Sequence, residues 1–395
     1  MDLNDIELLM PSGDMECVDA AIKYGADAVY LGGPFMQMRA EHVGFDLEDV
    51  GNACYKLHQA GKKLYVTVNC FANNDEIPKL GSYAKNLHMI GVDAIIVSDI
   101  GAIAEIKSAC PDLKIHLSTQ ANCMNYKAAE VNYNMGVKRI VLARELSIEK
   151  IAEIAAKKPA GLELEAFIHG AMCMSYSGRC MLSAFLAGRS GNRGECAQAC
   201  RWNYYIMEEQ RPGEYIPVIE SDRGMTILSS KELCCVDILD KLVDAGVVSF
   251  KVEGRMRTPY YVGTVANAYR SFMDGKISAK EARDELNTVS HRPFCTGFYE
   301  GKPSEIAPDD NGYIRDHLYV GNVKEDGKVL TRNAFDLGDE LEVLTPGGVG
   351  RPFKVEKIID SEGEPIERSS HPMDTVEIDL PEGCLPGDII RKRVC

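Results

Sequence analysis

Six of the fourteen cysteines fall within about 60 residues, at positions 173, 180, 196, 200, 234 and 235. Thiolates are soft ligands, and four meeting at one point make either a zinc site or an iron–sulfur cluster. Structural zinc usually takes two C-x2–4-C knuckles, and only Cys196 and Cys200 have that spacing. The other gaps are wide and irregular: six residues separate Cys173 from Cys180, fifteen separate Cys180 from Cys196, and 33 separate Cys200 from Cys234. Such spacing suits a cluster better than a zinc knuckle; the plain alternative is a set of buried thiols. Adjacent Cys234 and Cys235 are not expected to bind one metal centre together. The chain has no C-x3-C-x2-C run, C-x-x-C-H, G-x4-G-K-[ST], clean G-x-G-x-x-G or H-E-x-x-H. ATP, nicotinamide, haem and zinc-protease chemistries therefore lose their usual support. No Ser, His and Asp set announces itself. His169 with Cys173 is a conceivable nucleophilic dyad, but a Cys173 that binds metal is not a free nucleophile.

These residues are carried by a repeated strand–helix unit. A helix ends at a glycine, and a short apolar strand follows: Gly25 before AVYLGG, Gly61 before KKLYVTVN, Gly91 before AIIVSD, Gly136 before KRIVLAR and Gly246 before VSFKVEG. Glycine supplies the left-handed helix cap, and continuous apolar runs suit parallel strands buried on both faces. With ELLMP, KIHLSTQ and LELEAFIHG the strands number eight, starting near residues 6, 28, 63, 94, 114, 139, 162 and 249. The first seven starts are spaced by a mean of 26 residues, one strand plus one helix, and eight such units predict an α/β fold of the (β/α)8 TIM-like barrel type. The last step is 87 residues long. Its excess is a cysteine-rich insertion, residues 171–235, after strand seven, at the barrel face where active sites are built. The barrel with its insertion is assigned to residues 1–300. Residues 309–395 alternate in short runs broken by Gly and Pro, which predicts a small C-terminal all-β domain, a β-barrel or β-sandwich.

Polar residues at the C-terminal ends of barrel strands are the remaining candidates. Glu165, His169, Glu253 and Arg255 are the catalytic candidates; Arg39, Asn69, Gln120, Asn122, Arg144 and Lys251 are the substrate-binding ones. Arg255 can grip a carboxylate or phosphate through two hydrogen bonds, and for each residue the plain alternative is a solvated loop end or an internal salt bridge.

Composition narrows the partners. Apolar residues make up 45% and charged ones 26%, as in a soluble globular protein, and Lys plus Arg number 44 against 59 Asp plus Glu. The net charge of −15 excludes a broad basic surface for nucleic acid. A local positive mouth is still allowed by Arg179, Arg189, Arg193, Arg201, Arg255 and Arg257. Trp202 is the only tryptophan, suited to covering a cluster or stacking a base. No basic-then-apolar leader opens the chain and no apolar stretch approaches eighteen residues, so the expectation is a cytoplasmic protein that does not enter a membrane.

The segment Glu165-Ala-Phe167-Ile-His169-Gly170-Ala171-Met172-Cys173-Met-Ser-Tyr-Ser-Gly178-Arg-Cys180-Met-Leu182-Ser183 resembles the signature of the collagenase-like peptidase family. The phrases ELLMPSGDMECVDAAIKYGADAVYLGG, LSTQANCMN, CAQACRWNYY and SSKELCCVDILDKLVDAGVVSFKVEGRMRTPYYV resemble it too. The likeness spans roughly residues 6 to 300, and the C-terminal β domain is also typical of the family. The resemblance implies oxygen-independent, iron–sulfur-dependent hydroxylation of RNA, most similar to the branch that forms 5-hydroxyuridine at the tRNA wobble position. Prephenate is implied as a co-substrate and tRNA as the partner. It also implies a 4Fe-4S cluster on Cys173, Cys180, Cys196 and Cys234, with Cys200 as rival for the fourth place. A collagenase-like peptidase, or an accessory cluster protein of another hydroxylation pathway, is the alternative. Pairing as a homo- or hetero-dimer is open.

Overall fold

The computed structural model describes residues 2–38, 44–172, 180, 182–189, 191, 194–199, 219–221, 224–226, 231–301 and 313–394. Eight parallel strands form a closed barrel: β1 Glu7–Pro11, β2 Ala28–Gly32, β3 Lys63–Val68, β4 Ala94–Val97, β5 Ile115–Leu117, β6 Val137–Val141, β7 Glu163–Ala171 and β8 Ser249–Val252. Each pairs with its successor, and β8 pairs with both β7 and β1, which closes the ring. Every strand begins within two residues of its predicted start. The TIM-like barrel read from the sequence is the fold of the chain.

Helices α1 Met15–Lys23, α2 Leu47–Gln59, α3 Ile77–Ile90, α4 Ile100–Ala109, α5 Tyr126–Asn134 and α6 Ile148–Lys157 follow β1 to β6; α7 Leu239–Asp244 leads into β8 and α8 Pro259–Met273 leaves it. Side chains fix where several begin. Asp46, Asp99, Asn125 and Ser147 each accept from a backbone N–H of the first turn, at 2.8, 2.9, 2.9 and 3.5 Å. The five glycines of the repeat all take the left-handed backbone predicted for them, with φ between 69° and 97°.

Strand β7 runs beyond the barrel. Its last residues pair antiparallel with a short strand, Glu232–Cys234, in the register Glu232↔Ala171, Leu233↔Gly170, Cys234↔His169. A further short strand, Phe294–Cys295, adds alongside it. The two ends of the cysteine-rich insertion are thereby tied together.

The chain divides into two compact units, Met1–Met15 with Asp27–Met256 and Arg292–Tyr313, and Glu16–Ala26 with Arg257–His291 and Ile314–Cys395. The second unit is built on a seven-stranded antiparallel sheet. Its strands are β9 His317–Val323, β10 Val329–Thr331, β11 Glu340–Leu344, β12 Arg351–Lys354, β13 Ile358–Ile359, β14 Thr375–Ile378 and β15 Ile389–Arg393, in the order β12-β11-β15-β9-β10-β14-β13. Its core gathers Val320, Val329, Phe335, Leu341, Val343, Val355 and Ile390. The unit also holds most of α1, together with α8 and α9 Ala279–Asn287. Tyr24 of the α1 segment donates its hydroxyl to Leu344 O at 2.8 Å and accepts from Ile389 N at 2.9 Å. Buried Arg391 binds Glu285 of α9 through two nitrogens, at 2.8 and 2.9 Å. Among the described residues no helix is long and apolar enough to cross a membrane.

Candidate active site at the barrel mouth

In a barrel, alternate residues of each strand point inward, and here several residues near the N-terminal ends form a buried polar and charged cluster. Glu7 opens β1, Arg139 lies on β6, Glu165 on β7, and Ser249 and Lys251 on β8. Arg139 Nη1 bonds Glu7 Oε1 closely and reaches Glu165 Oε2 at 3.2 Å, while Arg139 Nε donates to Glu163 at 2.7 Å. Tyr65 OH and Lys63 Nζ donate to Glu7 Oε2 at 2.8 and 3.1 Å. Ser249 Oγ stands 3.1 Å from Glu7 Oε1 and 3.2 Å from Glu165 Oε2, so its one proton serves two carboxylate oxygens in turn. Burial alone would push the Glu7 carboxyl up; the Arg139 guanidinium, with Lys63 and the Tyr65 hydroxyl, outweighs it and holds the group at about 2. Burial and then the Arg139 charge keep the nearby His116 ring well below its ordinary value, and so uncharged.

Above this floor sits Lys251. Its Nζ donates to Glu165 Oε1 at 3.1 Å and packs on the face of Tyr30, 3.9 Å from the ring centre, with the Phe167 ring at 5.8 Å. Burial draws the ammonium below its usual range, and Glu165 opposes that shift. Glu165 is fully buried and Lys251 is 4% exposed, so the structure places both within the barrel, away from solvent.

The mouth carries the other candidates. Tyr30 OH donates to Val252 O at 2.9 Å and lies 3.5 Å from Glu253 Oε2. The backbone of Glu253 is held by His169, whose carbonyl accepts its N–H at 2.9 Å. Gly170 makes that approach feasible: its φ is +105°, and a Cβ there would stand 2.4 Å from Glu253 O. Buried Arg255 donates from Nη1 to Gln37 Oε1 at 3.0 Å and Thr67 Oγ1 at 2.9 Å, and from Nη2 to the Met38 carbonyl. Arg255 thus fastens the loop after β2 to the rim. Arg144 donates to Ala171 O at 3.0 Å, its guanidinium over the Phe167 ring. On the far side, Asn69 Oδ1 accepts from Met38 N at 3.2 Å, and Gln120 and Asn122 lie in and just after the single-turn helix Thr119–Ala121. Among the described residues, Arg144 and Glu253 charge the β6–β8 side of the mouth, Arg255 carries its guanidinium across to Thr67 on β3, and the loop after β5 presents the uncharged Gln120 and Asn122.

Of the cysteines expected as ligands, Cys234 is buried across the β7 extension from His169, Cys180 is half-buried and Cys196 exposed. Cys173 and its rival Cys200 lie outside the described residues, as do Arg39, Arg179, Arg193, Arg201 and Trp202. Among the described residues no group of three His, Cys, Asp or Glu could by itself hold a metal ion. The donor set is nonetheless all thiol, which fits iron–sulfur chemistry and not hard-metal chemistry. Cys235, by contrast, is fully buried, and desolvation pushes its thiol far up.

Sequence reasoning missed Glu7, Tyr30, Gln37, Arg139 and Ser249. A charged residue inside an apolar strand run marked Glu7 and Arg139; Gln37 carried no signal. A Cys–His–Asp arrangement also escaped it. His58 Nε2 is 3.0 Å from Asp93 Oδ2, but Cys54 Sγ sits 3.9 and 3.8 Å from the two ring nitrogens. Burial, then the Asp93 charge, pushes that thiol up to about 11. It is not an activated nucleophile.

A parallel barrel whose polar groups gather at the C-terminal mouth defines a TIM-barrel enzyme architecture. The chain belongs to peptidase family U32: that family's model matches residues 13–308, and the model of the U32 C-terminal domain matches residues 315–391. It is 35% identical to tRNA hydroxylation protein P1 of Bacillus subtilis, covering 98% of this chain and 94% of that protein. It is 37% identical to the 23S rRNA 5-hydroxycytidine C2501 synthase of Escherichia coli, over 72% of this chain and 41% of the other. It is 32% identical to a protein named collagenase from Porphyromonas gingivalis, with 88% of each covered.

Proposed function

We propose that this protein hydroxylates a pyrimidine of RNA, forming 5-hydroxyuridine at the tRNA wobble position, with a 4Fe-4S cluster held by Cys173, Cys180, Cys196 and Cys234. Near-full-length identity to a tRNA hydroxylation protein supports the RNA reading. The observation that carries the site is Cys234, a buried thiol joined by strand pairing to the end of β7, two residues before Cys173. When bound, such a cluster supplies one-electron chemistry at the mouth.

The protein's own groups divide the remaining work. Glu253, beside the Tyr30 hydroxyl, is the carboxylate placed to take or give a proton at the rim. Arg144 supplies positive charge for an anionic co-substrate such as prephenate, while Arg255, spent on Gln37, Thr67 and Met38, holds the loop after β2 in place. Glu165 and Lys251 act beneath the Tyr30 ring as positioning residues. A proteolytic reading lacks an activated nucleophile among the described residues.

Protein purified without oxygen is expected to hold about four iron and four sulfide per chain. Cys234→Ala should lose most of both, and the modified nucleoside should disappear from tRNA of cells carrying that variant alone. Zinc in place of iron, or normal tRNA modification by an iron-free variant, would sink this reading.

A further inference from the structure

The loop after β5 holds a buried polar atom that has no partner among the described residues. Asn122 follows the single-turn helix Thr119–Ala121 in a left-handed conformation, φ 54° and ψ 51°. Its backbone is pinned there. Asn122 N donates to Thr119 O at 2.9 Å, Thr119 Oγ1 donates to Leu142 O at 3.1 Å, and Ser118 Oγ accepts from Gln120 N at 3.2 Å. Yet Asn122 Oδ1 is buried and, among the described residues, has no hydrogen-bond donor. A buried acceptor without a donor is costly, and native structures seldom keep one without a use.

The chemistry around it restricts what the missing donor is. The two neighbouring loops present Asn69, whose oxygen is taken by Met38 N, and Ser98, which donates to Asn69 O at 2.8 Å. Asp99, the acidic residue between Ser98 and α4, accepts from Ala102 N at 2.9 Å through Oδ1. Asn122 Oδ1 is itself an uncharged acceptor, so it calls for a donor and not for a counter-charge. An uncharged ligand carrying an N–H would complete the Asn122 carbonyl.

We propose that the loops after β3, β4 and β5 form a subsite for the hydrogen-bonding edge of the target pyrimidine, in which Asn122 Oδ1 accepts a base N–H. This rests on the RNA reading above and adds to it the side of the mouth the base occupies and the direction of one hydrogen bond. Uracil offers N3–H and cytosine its amino group; a base methylated at N3 offers uracil's partner nothing. A site built to pair with an N–H rejects an analogue lacking it far more strongly than an apolar pocket rejects a size change.

Asn122→Gly tests this cleanly, because glycine keeps the left-handed backbone without strain while removing the side chain. Full-length, anaerobically purified protein is titrated with an anticodon stem-loop RNA carrying uridine, or N3-methyluridine, at the wobble position. The wild type should prefer uridine by about tenfold or more, the scale of one hydrogen bond. Asn122→Gly should melt no lower than the wild type, bind the uridine RNA about tenfold more weakly, and lose the discrimination. Unchanged discrimination in Asn122→Gly overturns the subsite and leaves the RNA reading standing. A wild type that binds neither RNA but binds a gelatin peptide, more weakly in Asn122→Gly, overturns both and returns the acceptor to a peptide N–H.

Discussion

At the scale of single residues, the barrel floor is where the physics is most constrained. Glu7 is held at about 2 by Arg139, Lys63 and Tyr65 against the cost of burial. A carboxyl depressed in the folded state contributes stability that is fully present above its unfolded value, near 4.5, and is lost as pH falls toward 2. Unfolding in urea should therefore show a steep loss of stability across that window, flattened in Glu7→Gln. At pH 7 the same variant leaves Arg139 without its closest partner, and should cost about 3–5 kcal/mol. The double variant Glu7→Gln with Arg139→Met should be less unstable than the sum of the two singles, since the pair shares one contact, but it should not be neutral, because Arg139→Met also takes a partner from the buried Glu165. If the double variant is as unstable as the sum of the singles, the pair is not the unit described.

At the scale of elements, the junction of β7 and β8 positions the mouth. A side chain at Gly170 would need φ near +105° and would press on Glu253 O. The backbone conformation alone costs about 1–3 kcal/mol for a non-glycine residue, so Gly170→Ala should lower the melting temperature. Because the clash falls on Glu253 itself, hydroxylation should drop by more than the loss of folded protein explains; a proportional loss would remove Glu253 from the site. This junction was partly legible in sequence. Strand starts and the glycine helix caps could be read because parallel strands and left-handed Gly caps are each dictated locally. The charged floor could not be fully read: Glu165 and Lys251 lie on strands that point them inward, yet nothing local says that Tyr30, from more than a hundred residues away, covers the ammonium. The loop fastened by Arg255 to Gln37 and Met38 is a long-range contact of the same kind.

At the scale of the whole molecule, the charge of −15 and an RNA substrate pull in opposite directions. Repulsion from an acidic body acts over the Debye length, about 30 Å at 0.01 M salt and about 10 Å at 0.1 M. Contacts at the mouth are short and screened less. The association rate with a stem-loop RNA should therefore rise as salt goes from about 10 to about 100 mM, then fall. A rate that falls monotonically from the lowest salt would mean that the molecule meets RNA through a broad basic face, contrary to its composition. The pairing of Ala171 with Glu232 has a different kind of consequence. Residues 172–231, 60 in all, leave and rejoin the barrel at neighbouring points of one hairpin stem. The entropy of bringing those ends together belongs to the stem, not to the segment it carries. That makes the insertion a cassette: a two-residue turn spliced between Ala171 and Glu232 should leave a closed, folded barrel that has lost Cys173, Cys180, Cys196 and Cys200 but keeps Cys234. The corresponding cassette of a relative could be transplanted onto the same stem without re-engineering the scaffold.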